Sequence, residues 1–377
     1  MSQVTRFLVT HNAGSARRGS LRLRSNAVDT PFFMPVATRG IVRYVPTEFI
    51  SDLGYQVLLS NTYHLMLRPG AEVIQQMGGL NAFTGFQGSS LTDSGGFQIM
   101  SLGASITTQG ARFRNVYDGS WVTLTPEGAM ETQQLIGADI AMVLDVCTQL
   151  PSSREQLEIN LELTTQWAER SRHAHSDSTQ ALFGIVQGGI DPDLRRKSTE
   201  AITNLDFDGY AVGGLAVGES HENTLEAVRT VVEGLPVDKP RYLMGVGDPY
   251  LLAHATALGI DMFDCVSPTR IARHGTALTD DGPVRVKGLN NRGLDEPLEL
   301  GCSCRVCQRV SRGLLHHLSH VDSESAGALL SLHNLAFQFR LISRLGKAIT
   351  DNTVEQVLTE IDSVWSRPAL RTGVRPD

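Results

Sequence analysis

The stretch Ile260-Asp261-Met262-Phe263-Asp264-Cys265 is an apolar run of strand length that holds a carboxylate, Asp264, among Met262, Phe263 and Cys265. Burying a carboxylate in such company is costly, so its presence asks for a chemical reason. Seven runs of similar length precede it: Phe32 to Val36, Gln56 to Ser60, Ser90 to Asp93, Ile140 to Asp145, Leu182 to Gln187, Gly209 to Gly214 and Arg241 to Gly245. Segments with helical spacing or helix caps separate them, the alternation of βα units. Thr125-Pro126-Glu127 sets a cap before a proline at the first helical position, and Thr47-Glu48 opens Phe49 to Leu53 in the same way. Eight units with reactive residues at the strand ends predict an α/β fold, an irregular TIM (β/α)8 barrel whose loops converge on one mouth. A doubly wound sheet gives the same alternation but carries a phosphate-binding glycine turn after its first strand. Val36-Ala37-Thr38-Arg39-Gly40 is not such a turn.

After the eighth run the pattern breaks at Asp280-Asp281-Gly282-Pro283, and a cysteine cluster and a helical stretch from about Ser323 to Leu345 follow. The expected division is a barrel over 1–280, an inserted zinc-binding subdomain over 281–348 and a C-terminal helix over 349–377. In that last segment Val354, Val357, Leu358, Ile361 and Val364 share one helical face, which should return to the outside of the barrel. Cys302, Cys304 and Cys307 with a later histidine suit tetrahedral zinc, since thiolates and imidazole are its preferred ligands. Four protein ligands leave no place for water, so one structural Zn2+ is expected. His333 is the expected fourth ligand, with His316, His317 and His320 as competitors on spacing alone.

Five cysteines in 377 residues, three of them within one short window, do not form a disulfide framework and point to a reducing compartment. Met1 to Phe7 lacks the order of a signal peptide, and no long apolar run occurs, so a soluble, cytoplasmic protein with no membrane segment is expected. A net charge of -7 argues against broad electrostatic affinity for nucleic acid. Between Asp281 and Lys347, however, nine basic residues face six acidic ones. A solvated mixed-charge surface explains that count equally well.

Asp93, Asp145 and Asp264 end three of the apolar runs. An aspartate after a strand is often only a cap or turn former, but three are too many for caps alone. Ser94-Gly95-Gly96 after Asp93 allows close backbone approach to a ligand. Two carboxylates across a sugar C1 can break a glycosidic bond with retention, one attacking the anomeric carbon and the other handling the leaving group's proton. Gln187 and the run Gly213-Gly214-Leu215-Ala216 offer amide and backbone groups that suit a planar heterocycle better than a second sugar. Phe97 and Met244 could stack on such a ring, although composition alone reads them as core.

Thr92-Asp93-Ser94-Gly95-Gly96-Phe97-Gln98, Ser60-Asn61-Thr62-Tyr63-His64-Leu65, Gly184-Ile185-Val186-Gln187-Gly188-Gly189, Gly213 to Glu219, Arg241 to Gly247, Asp261 to Val266, Pro268-Thr269-Arg270 and the Cys/His set together resemble the bacterial-type tRNA-guanine transglycosylases. The likeness runs in unbroken order from about Phe7 to Leu345. It implies a homodimeric enzyme that exchanges guanine at the wobble position of tRNAs with guanine-uridine-N anticodons for the queuosine precursor 7-aminomethyl-7-deazaguanine (preQ1). By matching motif, Asp264 would be the nucleophile that forms a covalent tRNA intermediate, and Asp93 the general acid/base. Asp145, Gln187 and Gly214 would read the base edge, Phe97 and Met244 would sandwich the ring, and Asn61 would position the ribose or the nucleophile. Glu219 would support the Leu215 carbonyl that faces the aminomethyl group. A base in a single-stranded anticodon loop leaves its stack for only a few kcal/mol. Arg270, Arg273, Arg285 and Lys287 are the expected tRNA contacts.

The chain departs from the family pattern at Phe97, often Tyr, at Val146, commonly Glu, and at Val310 and Leu314, often aromatic at the dimer contact. Two other classes of function fit less well. A non-catalytic tRNA-binding relative would not need both Asp93 and Asp264, and a zinc hydrolase would need an open metal site at the strand ends.

Overall fold

The computed structural model describes residues 6–366. The first five residues, read above for a signal peptide, and residues 367–377 of the expected C-terminal segment lie outside the described residues.

Eight short parallel strands form the core: β1 (Phe32–Pro35), β2 (Val57–Ser60), β3 (Ser89–Thr92), β4 (Ile140–Met142), β5 (Ala181–Val186), β6 (Gly209–Val212), β7 (Arg241–Leu243) and β8 (Met262–Cys265). They pair in the order β1-β8-β7-β6-β5-β4-β3-β2. A parallel bridge from Val36 to Leu59 joins β1 to β2 and closes the ring, helped by the Ala37 amide, which donates to the Leu59 carbonyl at 2.7 Å. Nearly every strand residue is buried on both faces, as expected where helices cover a parallel sheet, which explains why the strands read as continuous apolar runs. The expected barrel is the observed one.

Its irregularity lies between the strands. Three short helices fill the gap from β2 to β3, and a three-stranded antiparallel sheet (Ser105–Thr107, Gly110–Arg114, Trp121–Leu124) is inserted between β3 and β4. A second antiparallel sheet (Arg6–Ala13, Ala16–Arg22, Ala27–Thr30) precedes β1. Its Arg17 is buried and paired with Asp261, just before β8, and donates to the carbonyls of Val237 at 2.8 Å and Lys239 at 2.7 Å. Asp261 also accepts from the Arg241 amide at 2.7 Å. With its hydrogen-bonding groups satisfied, this ion pair seals the amino-terminal end of the barrel.

Thr125 caps the Pro126–Ile136 helix as expected, its Oγ1 accepting from the Gly128 amide at 3.1 Å. Thr47 does not cap: the helix Thr47–Asp52 already includes it, and Pro46 holds the cap position with no side-chain bond. The long helix runs from Ser323 to Asp351, beyond the expected end at Leu345 and through residue 348. It extends further because Leu345, Ala348 and Ile349 pack into the barrel core, while Leu330 and Ala336 join a separate apolar cluster with Cys304 and Val306. The final helix, Val354–Trp365, buries Val354, Val357, Leu358, Ile361 and Trp365 and packs on the Pro249–Ala257 helix outside the barrel. His254 joins the two helices through Asp362 at 2.7 Å.

Candidate active site

Strand β3 ends at Thr92, so Asp93 is the first residue of the loop at the carboxyl end. Its carboxylate accepts from Asn61 Nδ2 at 2.5 Å, from the amides of Thr62 (3.0 Å) and Gly95 (3.1 Å), and from Gln98 Nε2 at 3.5 Å. Asn61 therefore sits on Asp93 and not on Asp264, where the resemblance had left room for it. Protein encloses the Asp93 carboxyl, although the residue keeps a partly open side. Burial pushes it up to about 7, the amides of Thr62 and Gly95 oppose the rise, and the charges of Asp264 and Asp145 add to it.

Asp264 lies three strand positions round the ring, in β8. Tyr242 Oη donates to its Oδ1 at 2.6 Å and the Gly245 amide at 2.8 Å. Burial raises its carboxyl and these two donors pull it back. Both fix the carboxylate oxygen from the β7 side. Burial also pushes the thiols of Cys147 and Cys265 up to about 12, which leaves them un-ionised and poor nucleophiles at neutral pH. At the end of β8 the available nucleophile is thus Asp264.

Between these carboxylates on the other arc, β4, β5 and β6 supply a connected polar row. Ser94 Oγ donates to Asp145 Oδ1 at 2.7 Å, and Gln187 Nε2 donates to Asp145 Oδ2 at 2.7 Å. Burial raises the Asp145 carboxyl against these two bonds. Gly96 is needed here, because a Cβ would lie 2.6 Å from Asp145 Oδ1. Gly214, at φ +66°, is needed twice over, since its Cβ would fall 2.3 Å from Gln187 Oε1. Glu219 accepts from the amides of Ala216 and Val217 and from Thr224 Oγ1. In a trans peptide the carbonyl opposes the N–H, so the Leu215 carbonyl points away from Glu219. Phe97, in the short Gly96–Ser101 helix after β3, and Met244, after β7, stand on opposite sides of an eight-membered ring. Phe97 is exposed and Met244 half-buried.

Sequence reasoning missed several supporting groups. Tyr242 was hidden as an aromatic in an apolar strand, and Arg195 as a charged helix residue. Arg195 is fully buried and donates to the carbonyls of Gly189 (2.7 Å), Val186 (2.9 Å) and Gly213 (2.9 Å), tying the ends of β5 and β6 together. Gln98 offers a buried amide oxygen with no protein partner beside Asp93. Val146, one of the departures from the expected pattern, is buried with its amide on Thr164 Oγ1 at 3.1 Å.

Cys302, Cys304, Cys307 and His333 bring their ligand atoms within 4.8 Å of one another and can hold a metal ion. His333 Nδ1 lies 3.5 Å from Cys304 Sγ and 3.3 Å from Cys307 Sγ. Its Nε2 lies 2.8 Å from the Leu278 carbonyl, so that nitrogen carries the proton and Nδ1 keeps its lone pair for the metal. His316 instead reaches the Val286 carbonyl at 3.0 Å. Neighbouring Asn334 bonds to Leu278, Pro268 and Thr276. Of the expected tRNA contacts, Arg270 and Arg273 occupy the Ser267–Arg273 helix directly after β8, while Arg285, the last residue of the hairpin Thr276–Arg285, and Lys287 just beyond it are exposed.

The sequence pattern described as Queuine tRNA-ribosyltransferase matches residues 12–367. The chain belongs to the queuine tRNA-ribosyltransferase family. Curated proteins of that name are similar to it over nearly their whole lengths. The Thermus thermophilus protein is 48% identical over 98% of both chains. That of Saccharophagus degradans is 44% identical, over 97% of this chain and 99% of its own. The Hydrogenovibrio crunogenus protein is 43% identical, over 94% and 96% respectively. Among the described residues no helix is long and apolar enough to cross a membrane.

Proposed function

We propose that this protein is a tRNA-guanine transglycosylase, a pentosyltransferase that exchanges the wobble guanine of guanine-uridine-N anticodons for preQ1 through a covalent tRNA intermediate. The observation that carries the reading is the division of labour at one mouth. A buried carboxylate is fixed by Tyr242 and Gly245 on one arc, and a carboxyl poised at about 7 sits on Asp93.

Asp264 attacks ribose C1′ and the C1′–N9 bond breaks, its electron pair leaving with guanine. Asp93 supplies the proton that the departing base takes up. The incoming base then gives its N9 proton to Asp93, N9 bonds to C1′, and the Asp264 ester oxygen leaves as carboxylate. An acid poised near neutrality serves both halves, because it must be protonated in one and ionised in the other. Asp145, Gln187 and the Gly214 backbone read the polar edge of the base, with Phe97 and Met244 above and below it. The Leu215 carbonyl, held by Glu219 through the Ala216 amide, accepts from the aminomethyl group.

The three thiolates and one imidazole fit Zn2+: at about 2.3 Å for sulfur and about 2.0 Å for nitrogen, tetrahedral ligand atoms stand roughly 3.5 Å apart. The ion would hold residues 281–348 together and takes no part in the transfer. Arg270, Arg273, Arg285 and Lys287 contact the anticodon arm. The enzyme works as a cytoplasmic homodimer, a reading supported by Leu314 and Val321, which are exposed on the Arg312–Val321 helix. Sedimentation as a monomer at micromolar concentration would refute the dimer.

The decisive experiment is incorporation of radiolabelled guanine into unmodified tRNA, with and without preQ1. Incorporation that preQ1 suppresses is expected. Absence of incorporation by folded, metal-loaded protein would overturn the reading.

A further inference from the structure

The three-stranded sheet between β3 and β4 is a solvated antiparallel sheet with two unlike faces. Ala111, Phe113 and Leu124 are buried on one of them. That face backs the catalytic loop: Phe113 meets Tyr63 with ring centroids 5.4 Å apart, and Leu124 lies 3.9 Å from where a Gly95 Cβ would stand. The sheet is therefore a rim fixed behind Asp93.

The other face carries Arg112, Arg114, Trp121 and Thr123, all exposed, with Arg114 opposite Trp121 and Arg112 opposite Thr123. The guanidinium carbons of Arg112 and Arg114 lie 4.6 Å and 4.5 Å from the Trp121 ring centroid. Close by, Arg68 stands 4.2 Å over the Tyr117 ring. Among the described residues none of these three arginines has a carboxylate within ion-pair distance. The acid nearest in sequence to Arg112 and Arg114, Asp118, is bound to the amide and hydroxyl of Ser120, which hold its carboxyl down with some help from the charge of Arg68. Two like charges on one ring lack a counter-ion, and a large apolar surface lacks a cover, since Trp121 is 54% exposed.

We propose that this Arg112–Trp121–Arg114 face is a second RNA-contacting surface, which takes the sugar-phosphate backbone of the substrate tRNA beside the reacting nucleotide and stacks a base or ribose on Trp121. Resting on the transglycosylase reading above, it adds a contact separate from the basic residues after β8. RNA is the occupant that the chemistry favours. Phosphates match guanidinium groups that have no carboxylate partner, of which Arg114 also donates to the Gly119 carbonyl at 2.9 Å; an aromatic platform between cations suits flexible single strands, and the sheet that carries them is packed on the loops that hold Asp93.

Trp121 is its own reporter. The chain has three tryptophans, and Trp167 and Trp365 are only 1% and 3% exposed, so acrylamide quenching of intrinsic fluorescence reads Trp121. Saturating unmodified tRNA is expected to cut the quenching constant several-fold. In the doubly substituted Arg112→Ser, Arg114→Ser protein, the slope of log Kobs for tRNA against log salt should be shallower by about 1.5, at roughly 0.7–0.9 per phosphate contact. Affinity for tRNA should fall about ten-fold or more at low salt, with kcat at saturating tRNA and KM for guanine unchanged. Bound tRNA that leaves Trp121 open to acrylamide, or a variant with the wild-type salt slope, overturns the proposal while the exchange reaction stands. Protection that grows with protein concentration without RNA gives the face to a second copy of the chain and also overturns it. Failure of the protein to bind tRNA at all overturns both this surface and the transglycosylase reading.

Discussion

Replacing Tyr242 by Phe isolates what holds the proposed nucleophile, Asp264. The substitution removes one hydroxyl and leaves the ring, so the buried strand β7 keeps its packing. Asp264 then loses the 2.6 Å bond from Tyr242 Oη and retains only the Gly245 amide at 2.8 Å. A hydrogen bond to a charged group contributes about 1.5–3 kcal/mol, and Tyr242 lowers the Asp264 carboxyl against the upward push of burial. Its loss moves that carboxyl further up and makes the ionised, attacking form rarer on the acid side. At a pH where Asp264 is mostly protonated, kcat/KM for guanine exchange should fall by roughly 10–150-fold, from the same 1.5–3 kcal/mol. The deficit should shrink as pH rises, because base restores the carboxylate. The assay is the pH profile of kcat/KM, with trapping of the covalent tRNA adduct on denaturing gels as a second readout. A profile displaced downward by the same factor at every pH would mean that Tyr242 only shapes the pocket. One that overlies the wild type would refute the assigned arrangement.

Other expectations concern the remaining parts of the site. Asp93 has its folded carboxyl at about 7 against 3.8 for the free group, so the folded state binds the extra proton between those values. Its contribution to stability is complete below about pH 4 and is lost as pH rises to about 8. The unfolding free energy of the wild type relative to Asp93→Asn should therefore fall over that window by up to about 4 kcal/mol, as urea titrations would show; a parallel pair of curves would contradict it. Gly214→Ala places a Cβ against Gln187 at a positive φ, and kcat/KM should drop about a hundred-fold with tRNA affinity retained, as steady-state kinetics and filter binding would test. Cys304→Ala should lose the bound metal, one equivalent of zinc on the proposed reading, by elemental analysis and lower the melting temperature; a full metal complement would remove Cys304 from the ligand set.

Much of this architecture was legible because a parallel barrel buries both faces of every strand, and the eight apolar runs are what that leaves in a sequence. The aspartates proposed as catalytic were legible because carboxylates at the ends of such runs are out of place. The N-terminal sheet was not, since the exposed residues of Arg6–Ala13 give its strand no apolar face to read. The Trp121 rim was missed for a similar reason: its alternation places arginine beside tryptophan on a wet face. Four histidines could not be separated by spacing, and it took the Ser323–Asp351 helix to carry His333 to the thiols while His316 turned to Val286. Tyr242 acts through one hydroxyl aimed at the neighbouring strand, and Arg195 through three guanidinium nitrogens that gather carbonyls from two strand ends, a kind of information that no local pattern holds.

The seam of the ring sets a timetable for synthesis. β1 is among the earliest barrel segments to leave the ribosome, yet its main partner is β8, and its contact with β2 rests on the bridge at Val36. Until Met262–Cys265 has been made, a nascent chain carries the wholly apolar Phe32–Pro35 with an open edge, the kind of surface that recruits stray strands. Asp264, the proposed nucleophile, lies in the strand that ends this exposure. An unfinished chain thus has neither a closed barrel nor its nucleophile, and the enzyme is armed by the same event that makes it safe from aggregation.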